Sequence, residues 1–352
     1  MATPALRLLR DAMPGAFLGG LCRPGIDRVL AGSGLLDELH VASSEGVMAP
    51  KRAAGKVRGR GYAAALLLTN SFSTALAVRM AFIPRRVGYD RDGRGVLLTQ
   101  RLSAPRTTAG TWAIVPAVEY YHHAASAFLD PGVPVLTAAA LDRPDRVALR
   151  LPPDTRLELG LTDEQRAAGE RVRAALGLAG GPFAVLIPGG NNAAKRWPAE
   201  QFGRVARHLR ERWAMSSVVC GSPAEKDVCA AVAAHSHGAA YRVPEGLGSL
   251  DALKALCAGA AIVVCNDTGP RHIAAAFGRP IVSLFGPTDP RWTTIPHGRE
   301  RLILADPTLD VSESANDHPE RCSIERIEFC RVVSAADELL GESPPTAPDQ
   351  SP

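Results

Sequence analysis

No apolar stretch of this 352-residue chain is long enough to cross a bilayer. The longest, Tyr62–Leu68, has seven residues, against the ~20 that a spanning helix needs. The opening Met1-Ala-Thr-Pro-Ala-Leu-Arg lacks the apolar core of a signal peptide, so nothing in it argues for export. The seven cysteines (22, 220, 229, 257, 265, 322 and 330) form no CxxC pair and are odd in number. Several lie in apolar contexts, which suits a reduced, cytoplasmic setting. Cys322 and Cys330 are spaced like no metal site. The phosphate loop GxxxxGK[ST] is absent. There is no long block of like charge and no basic stripe interleaved with aromatics, which disfavours nucleic acid as a partner.

What is present is globular: 46% hydrophobic and 22% charged residues, at a length that suits two domains. The net charge of +4 divides unevenly, +8 over residues 1–150 and −4 over the rest. A basic first half suits an anionic partner or a negatively charged membrane face.

The first half reads as α/β but opens out of order. Pro4–Ala12 is helical, Phe17–Cys22 a strand, Ile26–Ala31 a helix and Leu39–Ala42 a strand. The strand with which such a domain normally begins is missing. Lys51–Gly61 carries five basic residues. Tyr62–Thr69 is a buried strand that ends at Asn70-Ser71, and Ser73–Ala81 is the following helix. Asn70 and Ser71, at a strand-to-helix junction, are candidates for contacting a ligand, although helix caps would look the same. Leu102–Gly110 reads as loose. Val115–Phe128 is a helix whose adjacent His122-His123 do not face one another, which disfavours a shared metal ion and suits surface or packing roles. Pro131–Leu161, rich in Pro and Asp, is the best linker.

The second half alternates strand and helix throughout, which means a parallel sheet covered on both faces. Thr162 opens a helix with a capping-box pattern. Strands follow at Phe183–Ile187, Ser217–Cys220, Ala240–Val243, Ala261–Cys265 and Ile281–Phe285, with helices between them. Three of the strand-to-helix junctions carry unusual residues. Pro188–Pro198 (PGGNNAAKRWP) combines glycines, whose amides can approach a ligand, with a lysine suited to a phosphate. Gly221-Ser222-Pro223-Ala224-Glu225 puts a carboxylate in the first turn of a helix. Asn266-Asp267-Thr268-Gly269, with His272 beyond, crowds a carboxylate, a hydroxyl, bare backbone and an imidazole at a helix start, the usual place for an anion. Three such loops on one sheet make a nucleotide or nucleotide-sugar pocket.

Lys195-Arg196-Trp197-Pro198-Ala199-Glu200, Gly221-Ser222 with Glu225, Asn266-Asp267-Thr268-Gly269 with His272, and Gly286-Pro287-Thr288 together resemble glycosyltransferase family 9. That is the family of ADP-heptose:lipopolysaccharide heptosyltransferases. Asn70-Ser71 and Ile83–Gly88 resemble its heptosyltransferase II type. The resemblance covers most of residues 2–340. It implies a GT-B fold, two Rossmann-like domains facing a cleft: residues 1–161 on the acceptor side and 162–333 on the donor side. A C-terminal helix (334–341) would pack back on the first domain, and 342–352 would be a disordered tail. The implied reaction is an inverting transfer of heptose onto the lipopolysaccharide inner core, at the cytoplasmic face of the inner membrane, with no metal or other cofactor. In it Lys195 would neutralise the donor diphosphate as the leaving group gathers charge. Thr268 and Gly269 would donate to the same phosphates, Glu225 would hold the ribose, Asp267 the sugar hydroxyls and His272 the donor. The loop amides of Gly189, Gly190, Asn191 and Asn192 would close the site, beside Gly221 and Ser222. Asn70 and Ser71 would face the acceptor.

One element of the pattern is missing. Family members begin with a strand ending in Gly-Asp, whose Asp is the general base, and this sequence starts at the helix after it. Asp11 is no substitute, since it lies roughly 15 Å along that helix. Two expectations follow: a start assigned too late, at an internal Met, or a shortened paralogue that binds nucleotide sugar and transfers it ~10²–10⁴-fold more slowly. An in-frame stop just upstream in the genomic DNA would dismiss the first. A sugar-nucleotide epimerase shares the architecture but needs acid/base pairs across the cleft, which the sequence does not locate. A non-catalytic nucleotide-sugar binder is the more serious rival.

Overall fold

The computed structural model describes residues 1–107, 110–138, 141–143, 146–306, 309–310 and 313–342, with the side chains of 141–143 and 146–147 excepted. The tail that was expected to be disordered lies, beyond residue 342, outside the described residues. The chain forms two compact units: Met1–Thr162 with Pro290–Pro296, and Asp163–Asp289 with His297–Pro352.

The first unit runs α1 (Thr3–Ala12), β1 (Gly19–Cys22), α2 (Ile26–Leu30), β2 (Glu38–Val41), α3 (Ala49–Val57), β3 (Ala64–Leu67), α4 (Phe72–Met80), β4 (Arg85–Tyr89), β5 (Gln100–Leu102), α5 (Ala117–Leu129), β6 (Leu141–Arg143) and β7 (Arg146–Val147). Its parallel strands form two separate ladders, β1–β2 and β3–β4–β5. The structure adds one element here and changes two readings. The basic stretch from Lys51 is mostly helix, with Ala49, Ala54 and Val57 buried. The start of the loose segment is a strand, with Leu102 paired to Tyr89. The linker is tied into the first unit by charge. Arg150 Nε donates to Glu119, a carboxylate only 2% exposed, at 2.6 Å, and Arg7 forks onto Glu158 at 2.8 and 3.0 Å. A buried carboxylate needs such a partner, and composition does not show which residue supplies it.

The second unit runs α6 (Asp163–Ala175), β8 (Phe183–Ile187), α7 (Ala199–Trp213), β9 (Ser216–Val219), α8 (Lys226–His235), β10 (Ala240–Arg242), α9 (Leu250–Gly259), β11 (Ile262–Asn266), α10 (Gly269–Ala276), β12 (Ile281–Phe285), β13 (Glu300–Leu304) and α11 (Phe329–Gly341). All six strands are parallel, in the order β10-β9-β8-β11-β12-β13. This is the doubly wound order, and it reverses between β8 and β11. Every residue of β8, β11 and β12 is buried, as in any sheet covered on both faces. Helix α10 ends two residues before Gly278, which takes φ +67°, and Pro280 follows.

Helix α11 begins at Phe329, five residues before the expected Ser334. It was expected to return to the first domain, but its buried face belongs to the second unit. Val332, Ala336 and Leu339 join that unit's core, and Asp337 accepts hydrogen bonds from His208 Nε2 (2.9 Å) and Trp213 Nε1 (2.7 Å) on α7.

Between α6 and α9, Lys254 is fully buried, with its Nζ donating to Gln165 Oε1 at 3.0 Å. Gln165 in turn donates to Asp251 at 3.0 Å. Burial lowers the Lys254 amine from 10.5 to about 8, against the pull of Asp251. The unfolded chain therefore holds more protons than the folded one between those values, and stability rises with pH across that window. Lys254→Met is expected to remove up to about 3 kcal/mol of this dependence. Urea midpoints measured below and above pH 8 for both proteins check it.

Candidate functional site

Three loops leave the carboxyl ends of β8, β9 and β11 and surround a cleft of about 900 Å³, within the range of small-molecule sites. The first, 188–198, contains a short 3-10 turn at Ala193–Lys195. The second runs from Cys220 through the turn Pro223–Glu225. The third is Asp267-Thr268, leading into α10. Because the sheet order reverses between β8 and β11, the first and third loops diverge there and leave a crevice.

Asn266 joins those two loops. It is fully buried, and its Nδ2 donates to Pro188 O (2.8 Å) and Gly189 O (3.1 Å) while its Oδ1 accepts from Trp197 N (3.3 Å). One amide thus satisfies three backbone groups of a loop that a sheet strand cannot pair. Asn266→Leu is expected to lower stability by at least ~1–3 kcal/mol, since it strands those groups in the core. The urea midpoint measures it.

Glu225 joins the first and second loops. Its Oε1 accepts from Gly190 N at 2.6 Å, and its Oε2 from Ser222 N (2.7 Å) and Ser222 Oγ (2.8 Å). Burial would raise this carboxyl, but those bonds and the nearby Arg196 outweigh burial and hold it below its ordinary value. Of roughly four lone-pair positions on a carboxylate, three are used here and one remains for a ligand hydroxyl. A Cβ at Gly189 would lie 2.1 Å from Glu225 Oε1, so any larger residue there displaces the carboxylate from its present bonds.

Asp267 joins the third loop to the lysine of the first. Its Oδ2 accepts from Lys195 Nζ at 3.2 Å and from Thr288 Oγ1 at 3.1 Å. Lys195 therefore stands beside the amino end of α10, where free backbone amides and the helix dipole also favour an anion. His272, one turn into α10, lines the cleft with Nδ1 buried and without a hydrogen-bond partner among the described residues. Burial and the adjacent Arg271 hold its imidazole well below the usual range, so it is neutral.

The cleft therefore brings together Gly189, Gly190, Asn191, Lys195, Gly221, Ser222, Glu225, Asp267, Thr268, Gly269 and His272. Asn192 is not among the lining residues; its side chain caps the Ala193–Lys195 turn by accepting from Ala194 N at 3.0 Å. Sequence reasoning missed the apolar part of the lining, Val243, Leu250, Leu253 and Leu256. The three leucines recur every third residue, a signal equally expected of core. It also missed Thr288's hold on Asp267 and Asn266's on the first loop.

In the first unit, Asn70 lines a separate cavity of about 230 Å³ with Arg91, Trp112, Tyr120 and Trp292. Its Oδ1 accepts from Arg94 Nη2 and Tyr120 OH, both at 3.2 Å. Ser71 lies outside the lining and caps α4, accepting from Thr74 N at 3.4 Å. His123 packs inward, sharing a hydrogen bond with Tyr89 OH at 2.8 Å.

The sequence pattern of Glycosyltransferase family 9 (heptosyltransferase) matches residues 51–314. The chain belongs to this family. It is 33% identical over 169 residues to lipopolysaccharide heptosyltransferase 1 of Pseudomonas aeruginosa, covering 48% of this chain and 42% of that protein. It is 29% identical over 262 residues to lipopolysaccharide heptosyltransferase 2 of Salmonella typhimurium, covering 72% and 68%. The chain thus spans less than half of the first relative and about two thirds of the second. Among solved structures, E. coli ADP-heptose lps heptosyltransferase II superposes with a TM-score of 0.72 at 23% identity, over 96% of this chain and 94% of that one. A family 9 glycosyl transferase from Veillonella parvula superposes with 0.75 at 20% identity, over 97% and 93%. The fold is that of the family, GT-B-like with two Rossmann-like α/β domains.

Proposed function

We propose that this family 9 protein transfers heptose from ADP-heptose to the inner core of lipopolysaccharide, with inversion, at the cytoplasmic face of the inner membrane. The observation that carries the reading is Lys195 beside the amino end of α10, in a cleft whose lining is apolar in part. A nucleotide base fits against Val243 and the three leucines, and the ribose hydroxyls reach the free lone pair of Glu225. The diphosphate then meets Lys195 and the amides at Thr268 and Gly269. As the sugar–phosphate bond breaks, negative charge grows on the diphosphate, and a fixed cation and fixed dipoles stabilise it without reorganising. Asp267 orients Lys195 and offers its other oxygen to sugar hydroxyls, while neutral His272 faces the donor. Asn70 is the acceptor-side candidate that remains, Ser71 being spent on a cap.

Titration with ADP-, UDP- and GDP-sugars tests the donor; preference for a nucleotide other than ADP counts against heptose transfer. Glu225→Gln is expected to weaken ADP binding about 10–100-fold, the value of a hydrogen bond to a charged group. The amide places a donor opposite either Gly190 N or Ser222 N, so the loop opens as well. Calorimetric titration of both proteins measures the difference.

A second reading, nucleotide-sugar binding without transfer, is favoured by one observation: among the described residues no carboxylate lines the first-unit cavity that holds Asn70. Product formation from ADP-heptose and a heptose-deficient core by the 352-residue protein excludes it. Tight ADP binding with no product supports it.

A further inference from the structure

Between Gly46 and Tyr89 the chain has eight basic residues and not one Asp or Glu. Neither the donor cleft nor the first-unit cavity uses any of the eight. Three of them, Lys51, Arg52 and Lys56, lie with Gly55 on the exposed face of α3, while Ala54 and Val57 turn inward. Arg58 and Arg79 are exposed as well, and so is Arg60, which is paired with Glu38 of β2. Large apolar side chains stand out at both ends of this basic face. Just before α3, Val47 is 96% and Met48 50% exposed. Near its far end Phe82 is 70% exposed. Arg58 ties Phe82 to α3: its Nη2 donates to Met80 O at 2.8 Å, and its guanidinium carbon lies 5.1 Å from the ring centroid.

Phe82 is also held at φ +61°, a left-handed backbone that a bulky residue adopts only at a cost. That backbone closes α4, where Ile83 N donates back to Val78 O at 3.3 Å and glycine is the usual residue; an exposed phenylalanine ring there gains nothing from core packing. An exposed aromatic and two exposed aliphatic side chains around an acid-free basic helix match a surface that is anionic in its headgroups and apolar beneath. Nucleic acid supplies the charge but no apolar layer for Val47 and Met48.

We infer that the outer face of α3, with Val47, Met48 and Phe82, docks this protein on an anionic phospholipid bilayer. The lysines and arginines meet the headgroup phosphates, and the three apolar side chains enter the acyl boundary. This inference stands independently of the donor chemistry, because the second unit contributes nothing to it.

The test is co-sedimentation of the full chain with vesicles of phosphatidylcholine alone and of phosphatidylcholine mixed with phosphatidylglycerol. Binding is expected to the mixed vesicles and to be much weaker with the neutral ones. K51Q/R52Q/K56Q is expected to weaken binding roughly 10²-fold, about fivefold for each basic side chain near the surface. V47S/M48S/F82G is expected to abolish the binding that survives high salt; glycine at 82 also relieves the backbone, so the variant folds. ADP affinity, read out in the second unit, should match the parent in both variants and reports that they are intact. Equal binding to neutral and mixed vesicles overturns the inference. So does undiminished binding by either variant, or retention of single-stranded RNA in place of vesicles.

Discussion

Lys195→Ala is expected to lower the proposed turnover of ADP-heptose by ~10²–10³-fold, the scale at which removing one group that stabilises transition-state charge acts. The size follows from what surrounds the lysine. Its Nζ sits 3.2 Å from Asp267 Oδ2, and both side chains are largely buried, so solvent screens the pair poorly. Without the ammonium, the Asp267 carboxylate keeps only the Thr288 hydroxyl at 3.1 Å and presents a negative charge to a diphosphate. Lys195→Ala therefore weakens ADP binding as well as slowing the chemical step. Adding Asp267→Asn removes the repulsion, and the double variant is expected to bind ADP more tightly than Lys195→Ala while remaining slow. A double-mutant cycle on both the ADP dissociation constant and kcat separates the effects. If turnover of Lys195→Ala equals that of the parent, charge stabilisation by this lysine is not how the leaving group departs.

Glu300→Ala is expected to remove about 3–5 kcal/mol of stability, the cost of breaking a buried ion pair from one side. Arg271 is fully buried in α10, with Nε 2.6 Å from Glu300 Oε1 and Nη2 3.0 Å from Oε2. Ser283 on β12 donates to the same Oε1 at 2.6 Å. Burial would lower the Arg271 guanidinium, but the charge and hydrogen bonds of Glu300 outweigh it and raise it. Glu300 thus fastens the helix whose amino end faces the cleft to β12 and β13 at the far side of the sheet. Arg271→Met with Glu300→Leu is expected to recover much of the loss, because a buried ion pair is replaced by packing of similar volume more cheaply than it is broken. Urea denaturation of the three proteins measures this. An unchanged midpoint for Glu300→Ala would show that the fork does not anchor α10.

The consequence for function is distinct from that of Lys195. Loosening α10 displaces Thr268 and Gly269 while leaving Lys195 in place, so Glu300→Ala should weaken ADP binding in proportion to lost order. Lys195→Ala should lower the urea midpoint less than Glu300→Ala does, since Lys195 and Asp267 sit at the mouth of a cleft rather than in the core and Asp267 keeps the Thr288 hydroxyl.

The sequence by itself determined the buried strands, the loops after them and the family. Phe183–Ile187 and Ile281–Phe285 were legible to the residue, because a strand covered on both faces is an unbroken apolar run with turn residues at each end. Lys195, Glu225, Asp267 and His272 were legible as a set for a related reason. A doubly wound sheet puts all its strand-to-helix loops at one edge, so chemistry spread over eighty residues of sequence converges in space. Only the tertiary structure decided the rest. Edge strand β13, Glu-Arg-Leu-Ile-Leu, carries the charge that Arg271 needs, and so it does not read as an apolar run. Helix α3 buries only small side chains and reads as a basic segment. C-terminal helix α11 was expected to pack back on the first domain, and only the structure shows that its apolar face, with Val332, Ala336 and Leu339, lies in the core of the second unit. The side-chain bonds that shape the cleft connect residues far apart in the chain: Asn266 to Pro188, Glu225 to Gly190, Lys195 to Asp267. Each is a matter of which buried polar group finds which partner once the sheet has formed, and local pattern carries no record of that pairing.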